Sequence, residues 1–177
     1  MPILINKLSV VSDCWTPYTS DALPAALSPE DHVLVSVSDW PALRSTLIAS
    51  SAQIGVCAAN TTEPEILEND LSRLNLIAID FPIFTDGRGY SLARQWREAG
   101  FRGELRAIGD ILPDQIFYLA RCGFDTFALK DGQSPEIALA ALHTFSTSYQ
   151  AAADTPLPLY RRESHTATTA APTNETS

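Results

Sequence analysis

From residue 33 onward, short apolar runs alternate with segments whose apolar residues recur at helical spacing. VLVSV (33–37) reads as a strand. Asp39, with Pro41 inside the first turn, opens a helix through about Ala49. IGVCA (54–58) is the next strand, and Thr62 with Glu65 forms a T-x-x-E capping-box pattern that starts a helix towards Leu74. LIAID (76–80) is a third strand, followed by a helix capped at Ser91 and ending at Gly100. ELRAIG (104–109) is a fourth strand, and the helix from Pro113 ends at Gly123, placed like a C′ glycine. FDTFAL (124–129) is a fifth strand. Ser134 and Pro135 then open a last helix to about Ala152.

Five strand–helix repeats predict a parallel sheet with both faces covered by helices. They are too few to close an eight-stranded barrel. The expectation is an α/β fold, a five-stranded doubly wound sheet of flavodoxin-like order 2-1-3-4-5 within residues 31–152. Residues 1–30 form an N-terminal extension, with room for an edge strand or hairpin around ILI and LSVV. Residues 153–177 are rich in Thr, Ala and Pro, have no periodicity and are expected to be disordered.

Composition narrows the function classes. The chain has 177 residues and a net charge of -9, which disfavours nucleic-acid binding. No apolar run approaches the roughly 20 residues that span a bilayer. The N-terminus lacks the basic, apolar and small-residue order of a signal peptide, so the cytoplasm is the default. Cys14, Cys57 and Cys122 show no C-x-x-C spacing, and His32, His143 and His165 are scattered, so no metal or disulfide framework is expected. The turn after the first strand, SVSDW, lacks G-x-G-x-x-G, and no cysteine cluster suits iron–sulfur. No cofactor is evident.

The charge is unevenly placed. Residues 81–130 hold seven bases against six acids and carry +1, while the remainder carries -10. Arg94 and Arg97 lie off the apolar stripe of Leu92, Trp96 and Ala99 and read as a solvated face, and Arg102 as a plain loop residue. Arg88 differs. It sits in DGRGYS, just before a helix whose unpaired N–H groups carry partial positive charge, so Asp86, Arg88 and Ser91 outline a small-anion site. An exposed Arg on an ordinary Asp-Gly turn is the plainer reading. Arg106 lies within a strand expected to be buried, where a guanidinium needs a carboxylate partner. Asp80 and Asp110 are the candidates, and either would place the pair at the carboxyl edge, where open α/β sheets bind ligands. Phe81, Phe84 and Tyr90 supply either an apolar wall there or ordinary core. Cys122, at a helix C-terminus, reads as a buried inert thiol. No catalytic residue is assigned.

Two resemblances follow. LIAIDFPIFTDG and YLARCGFDTFALKDGQSPEIALAAL are similar to the second half of response-regulator receiver domains. That match puts Asp80 on the phospho-acceptor and Lys130 on the invariant lysine. The acidic pair after the first strand is reduced to Ser38-Asp39, the expected hydroxyl is replaced by Ala107 or Gly109, and Asp131 stands where a proline is usual. This implies a degenerate receiver-like interaction or regulatory module without phosphorylation. More closely, FPIFTDGRGYSLARQWRE, GFRGELRAIGDILPDQ and LARCGFDTFAL resemble a bacterial family catalogued as domain of unknown function nine-three-four. The resemblance implies a gene beside assimilatory sulfite reductase and an oxidoreductase role in sulfite reduction. The expected role is therefore an accessory protein of sulfur assimilation. Its partner would be sulfite reductase or another sulfur-assimilation protein, and a small anion its ligand.

Overall fold

A computed structural model describes residues 3–144, 149–153, 155, 157–159 and 161. Eight strands form one mixed sheet: β1 (Ile3–Asn6), β2 (Val10–Val11), β3 (Thr16–Tyr18), β4 (His32–Ser36), β5 (Gln53–Ala59), β6 (Leu76–Phe81), β7 (Glu104–Gly109) and β8 (Thr126–Leu129). Their spatial order is β2-β1-β8-β7-β6-β5-β4-β3. From β3 to β8 neighbours are parallel, whereas β1 pairs antiparallel with both β8 and β2.

This corrects the expected five-stranded, flavodoxin-like order 2-1-3-4-5. The five predicted strands form, but they lie side by side in chain order, which is also not the order of a receiver domain. A doubly wound sheet needs one crossover to reverse direction after its first strand. Here every crossover steps the same way, and right-handed crossovers then put all helices on one face. Strand periodicity is the same in either case, so the apolar runs carry no information about that reversal.

The helices are α1 (Trp40–Ala49), α2 (Glu65–Glu68), α3 (Arg88–Glu98), α4 (Ile116–Arg121) and α5 (Pro135–Leu142). One core joins them to alternate strand residues: Val33 and Val35, Ile54 and Val56, Ile77 and Ile79, Leu105 and Ala107, and Phe127 and Leu129 meet Leu47, Leu67, Trp96, Ile116 and Leu119. Several helix ends differ from expectation. The Thr62–Glu65 box does not form. Pro64 stands at the N-cap of a four-residue α2, and a 3-10 turn at Leu71–Arg73 replaces its continuation. The break turns Asp70 inward, where it accepts Trp40 Nε1 at 3.1 Å and Arg44 Nε and Nη2 at 2.6 Å. α3 begins at Arg88 with Gly87 as N-cap, so Ser91 lies within its first turn. α4 is preceded by a 3-10 turn at Pro113–Gln115, and Gly123 has φ +107°. Ser134 accepts the Ile137 N–H at 3.2 Å and caps α5, which ends at Leu142, ahead of Ala152. Of the tail expected to be disordered, residues 154, 156, 160 and 162–177 lie outside the described residues.

The opposite face of the sheet is closed differently. Val11 and Thr16 lie on opposite outer strands, seven inter-strand spacings apart. A flat sheet would separate those strands by about 34 Å, yet the linking residues reach at most about 18 Å. The sheet must therefore curl into a half-barrel, and residues 12–15 form a strap across its concave side. Small residues make room for the strap. Trp15 lies on Gly55, where a Cβ would sit 2.8 Å from the indole ring. It also meets His32 edge-on, with ring centroids 5.3 Å apart.

Candidate functional site

Beneath the strap a cleft of about 570 Å³ opens towards the carboxyl edge of the parallel strands. Its walls include Leu34 of β4, Ala78 and Asp80 of β6, Arg106 and Ile108 of β7, and Ala128 of β8, with Asp13 overhead and Lys130 at the rim. Size and position suit a ligand site in a parallel sheet. The half-barrel curl brings these side chains to one side. They alternate along each strand with the residues that face the helices.

Arg106 is 4% exposed. Its partners are neither Asp80 nor Asp110. Nη1 donates to Asp13 Oδ1 at 2.9 Å, and Nε donates to Glu104 Oε1 at 3.0 Å. Thr126 Oγ1 donates to the same Glu104 oxygen at 2.5 Å. Side chains on one strand point to the same face at every second residue, so Glu104 was in reach of Arg106 from the sequence. Asp13 was not, because only the strap brings it there.

Asp80 is the penultimate residue of β6 and is half-buried in the cleft. Among the described residues its carboxylate makes no hydrogen bond or ion pair. It rests against Gly109, whose φ is +90°. A Cβ at Gly109 would overlap the carboxylate and lie 2.5 Å from Phe81 O. Burial, and then the Asp80 charge, pushes the Cys57 thiol up from its ordinary value, so this cysteine is held as a thiol and not as a nucleophilic thiolate.

Asp110 does not meet Arg106. It accepts Lys130 Nζ at 2.6 Å and the Phe84 N–H at 3.3 Å. Lys130 holds its carboxyl below the usual range. Asp86 likewise clamps Arg88, accepting Nη2 at 2.5 Å, Nε at 3.0 Å and the backbone N–H at 3.1 Å. These bonds hold Asp86 well below the ordinary carboxylate range. Asp86 thus takes the place that the sequence left for an external anion at the start of α3. Buried Asn60 faces Asp86 and helps to hold it charged, although its Nδ2 completes no hydrogen bond of good geometry.

Phe84 is exposed at the tip of the β6–α3 loop, next to exposed Ile83. Gln115 Nε2 donates to Phe84 O at 2.7 Å and fixes the loop. Tyr90 packs between Phe81, met edge-on, and Tyr118, met at a tilt, with centroids 5.4 and 5.2 Å apart. Gly89 permits that packing, since a Cβ would fall 2.5 Å from the Phe81 ring. Ser91 is exposed on α3. The structure therefore gathers Asp80, Asp110, Arg106 and Lys130 at the cleft. It sets Phe84 and Asp86 on the neighbouring loop and Arg88 at the first residue of α3, and leaves Tyr90 and Ser91 apart. Among the described residues no group of three or more His, Cys, Asp or Glu is placed to hold a metal ion. No helix among them is long and apolar enough to cross a membrane.

No curated protein and no solved structure matches the chain. A family profile matches residues 55–160, from β5 past α5, and so takes in the carboxyl edge but not the strap. Over more than half of its length the chain fits that profile, and it belongs to the family described as bacterial protein of unknown function, DUF934.

Proposed function

We propose that this chain is an accessory protein of assimilatory sulfite reduction that docks its carboxyl edge onto the reductase. The resemblance of the DGRGYS and ELRAIGD blocks supports the sulfur assignment. One observation supports docking. Ile83 and Phe84, 49% and 45% exposed, project beside a cleft whose Asp80 carboxylate makes no hydrogen bond or ion pair among the described residues. Half-exposed apolar side chains beside a partly buried charge are the kind of surface that a partner can cover and desolvate. The complementary surface is an apolar patch carrying a Lys or Arg that enters the cleft towards Asp80. The net charge of -9 steers such a basic face into encounter. A bare inorganic anion fits this edge less well, because Arg88, Arg106 and Lys130 each already hold a carboxylate.

The test is growth and co-purification. A deletion strain should grow poorly on sulfate or sulfite and recover with cysteine. Phe84→Asp and Asp80→Lys should reproduce that phenotype and lose co-purification with the reductase while remaining folded. Normal growth of the deletion strain on sulfate would remove the sulfur role. A defect in the deletion strain that neither variant shares would remove the docking face.

A further inference from the structure

The amino edge of the sheet carries a second cleft, of about 470 Å³, on the side opposite the strand ends considered so far. Lys7, from the β1–β2 turn, Arg94 and Arg97 of α3, and Arg102 of the α3–β7 loop line it. These are four of the chain's twelve basic residues, and among the described residues the acids lining the same cleft are Glu98 and Asp125, in a protein of net charge -9.

Only Arg97 has a structural task. Its side chain is 16% exposed. It donates to the carbonyls of Gly123 (3.0 and 2.9 Å), Phe101 (3.0 Å) and Gly103 (2.8 Å), and to Asp125. All its donors are used, and they tie the end of α3 to the starts of β7 and β8. The other three cations are loosely held. Arg94 reaches Glu98 at 3.4 Å, and Lys7 reaches Asp125 at 3.7 Å, in both cases with exposed side chains. Arg102 is exposed and makes no hydrogen bond or ion pair among the described residues. Cations at a helix C-terminus offset the helix dipole. That accounts for Arg97, in the last turn of α3, but not for Arg94, which lies before that turn, or for Lys7 and Arg102, which reach the same cleft from other segments. Gathering like charges is unfavourable unless an anion joins them.

We propose that this amino-edge cleft binds a phosphate-bearing organic anion, held by Lys7, Arg94 and Arg102 over the fixed charge of Arg97. A diphosphate is the best match in charge for three loosely held cations. The volume exceeds what a bare phosphate fills, and Ala120, Ala152 and Ala153 add apolar lining for an organic body. The site is separate from the docking face and does not rest on it.

The experiment uses the full chain at low ionic strength, with ADP and inorganic pyrophosphate as probes and thermal shift and titration calorimetry as readouts. Both probes should raise the melting temperature of the parent protein. Affinity should fall as salt is added. The double charge reversal Arg94→Glu/Arg102→Glu should weaken binding at least tenfold, and Lys7→Glu alone should weaken it measurably. Both variants leave Arg97 and its carbonyl bonds in place, so circular dichroism should match the parent. Asp80→Asn at the other edge should bind both probes normally. Absence of stabilisation by either probe, or equal binding by the double reversal, would overturn the proposal.

Discussion

Arg106 and Asp13, 93 positions apart in the chain, meet at 2.9 Å beneath the strap that crosses the concave face. The pair pins residues 12–15 to the centre of β7. Replacing Arg106 with Leu leaves Asp13 and Glu104 without their cation, and both acids are partly exposed, so the cost is moderated by solvent. Urea denaturation should show a loss of about 2–3 kcal/mol. Asp13→Asn should cost less, and a double-mutant cycle should reveal coupling between the two. Additive effects would mean that the strap is not held by this pair.

Gly109 and Gly132 have nearly the same backbone angle, φ +90° and +87°, but different surroundings. A Cβ on Gly109 would strike Asp80 and Phe81, whereas nothing lies within 4 Å of one on Gly132. Gly132→Ala should cost only backbone strain, about 1 kcal/mol. Gly109→Ala should cost that and more, about 3 kcal/mol in all. Equal losses in denaturant melts would contradict the close packing of Asp80 on the β7 turn.

Acid sensitivity should track the three carboxylates that a Lys or Arg holds low, beyond the hydrogen-bonded Asp31 and Glu136. Arg44 holds Asp70 low, Arg88 holds Asp86 low and Lys130 holds Asp110 low. A depressed folded-state pKa adds stability above the ordinary carboxylate value and loses it as pH falls. Stability should therefore be level near neutrality and decline below about pH 4. Asp70→Asn should lower stability at pH 7 and flatten the acid limb. A variant that keeps the parent's acid slope would show that folding does not hold Asp70 below its ordinary carboxylate value.

Thiol chemistry reports on Asp80. Cys14 is exposed, Cys57 intermediate and Cys122 buried. In a Cys14→Ser background, Cys57 should react slowly with a disulfide reagent at pH 8, because burial and the neighbouring Asp80 charge both oppose its thiolate. Asp80→Asn removes the second effect, so the pH profile of the reaction should shift to lower pH. An unchanged profile would place Asp80 out of reach of Cys57.

The strand positions were legible along the chain because strand formation is local. Largely apolar runs such as LIAI, and Leu105, Ala107 and Ile108 around Arg106, bounded by turn residues, mark strand segments. They became β6 (Leu76–Phe81) and β7 (Glu104–Gly109). Ser134-Pro135 and Gly123 marked helix ends for equally local reasons: a side chain that caps an N–H, and a residue free to take positive φ. Lateral order was not legible. It depends on the direction each crossover takes and on which strands reach the sheet's edges. Those edges are filled by Val10–Val11 and Thr16–Tyr18, too short to show a period. For the same reason the sequence singled out Arg106 as a residue needing a partner without showing that the partner was Asp13. Burial of a guanidinium follows from its strand, but its counter-charge arrives on a distant strap. Only the folded chain decides that, because only the curl of the sheet brings its two edges within reach of so few residues.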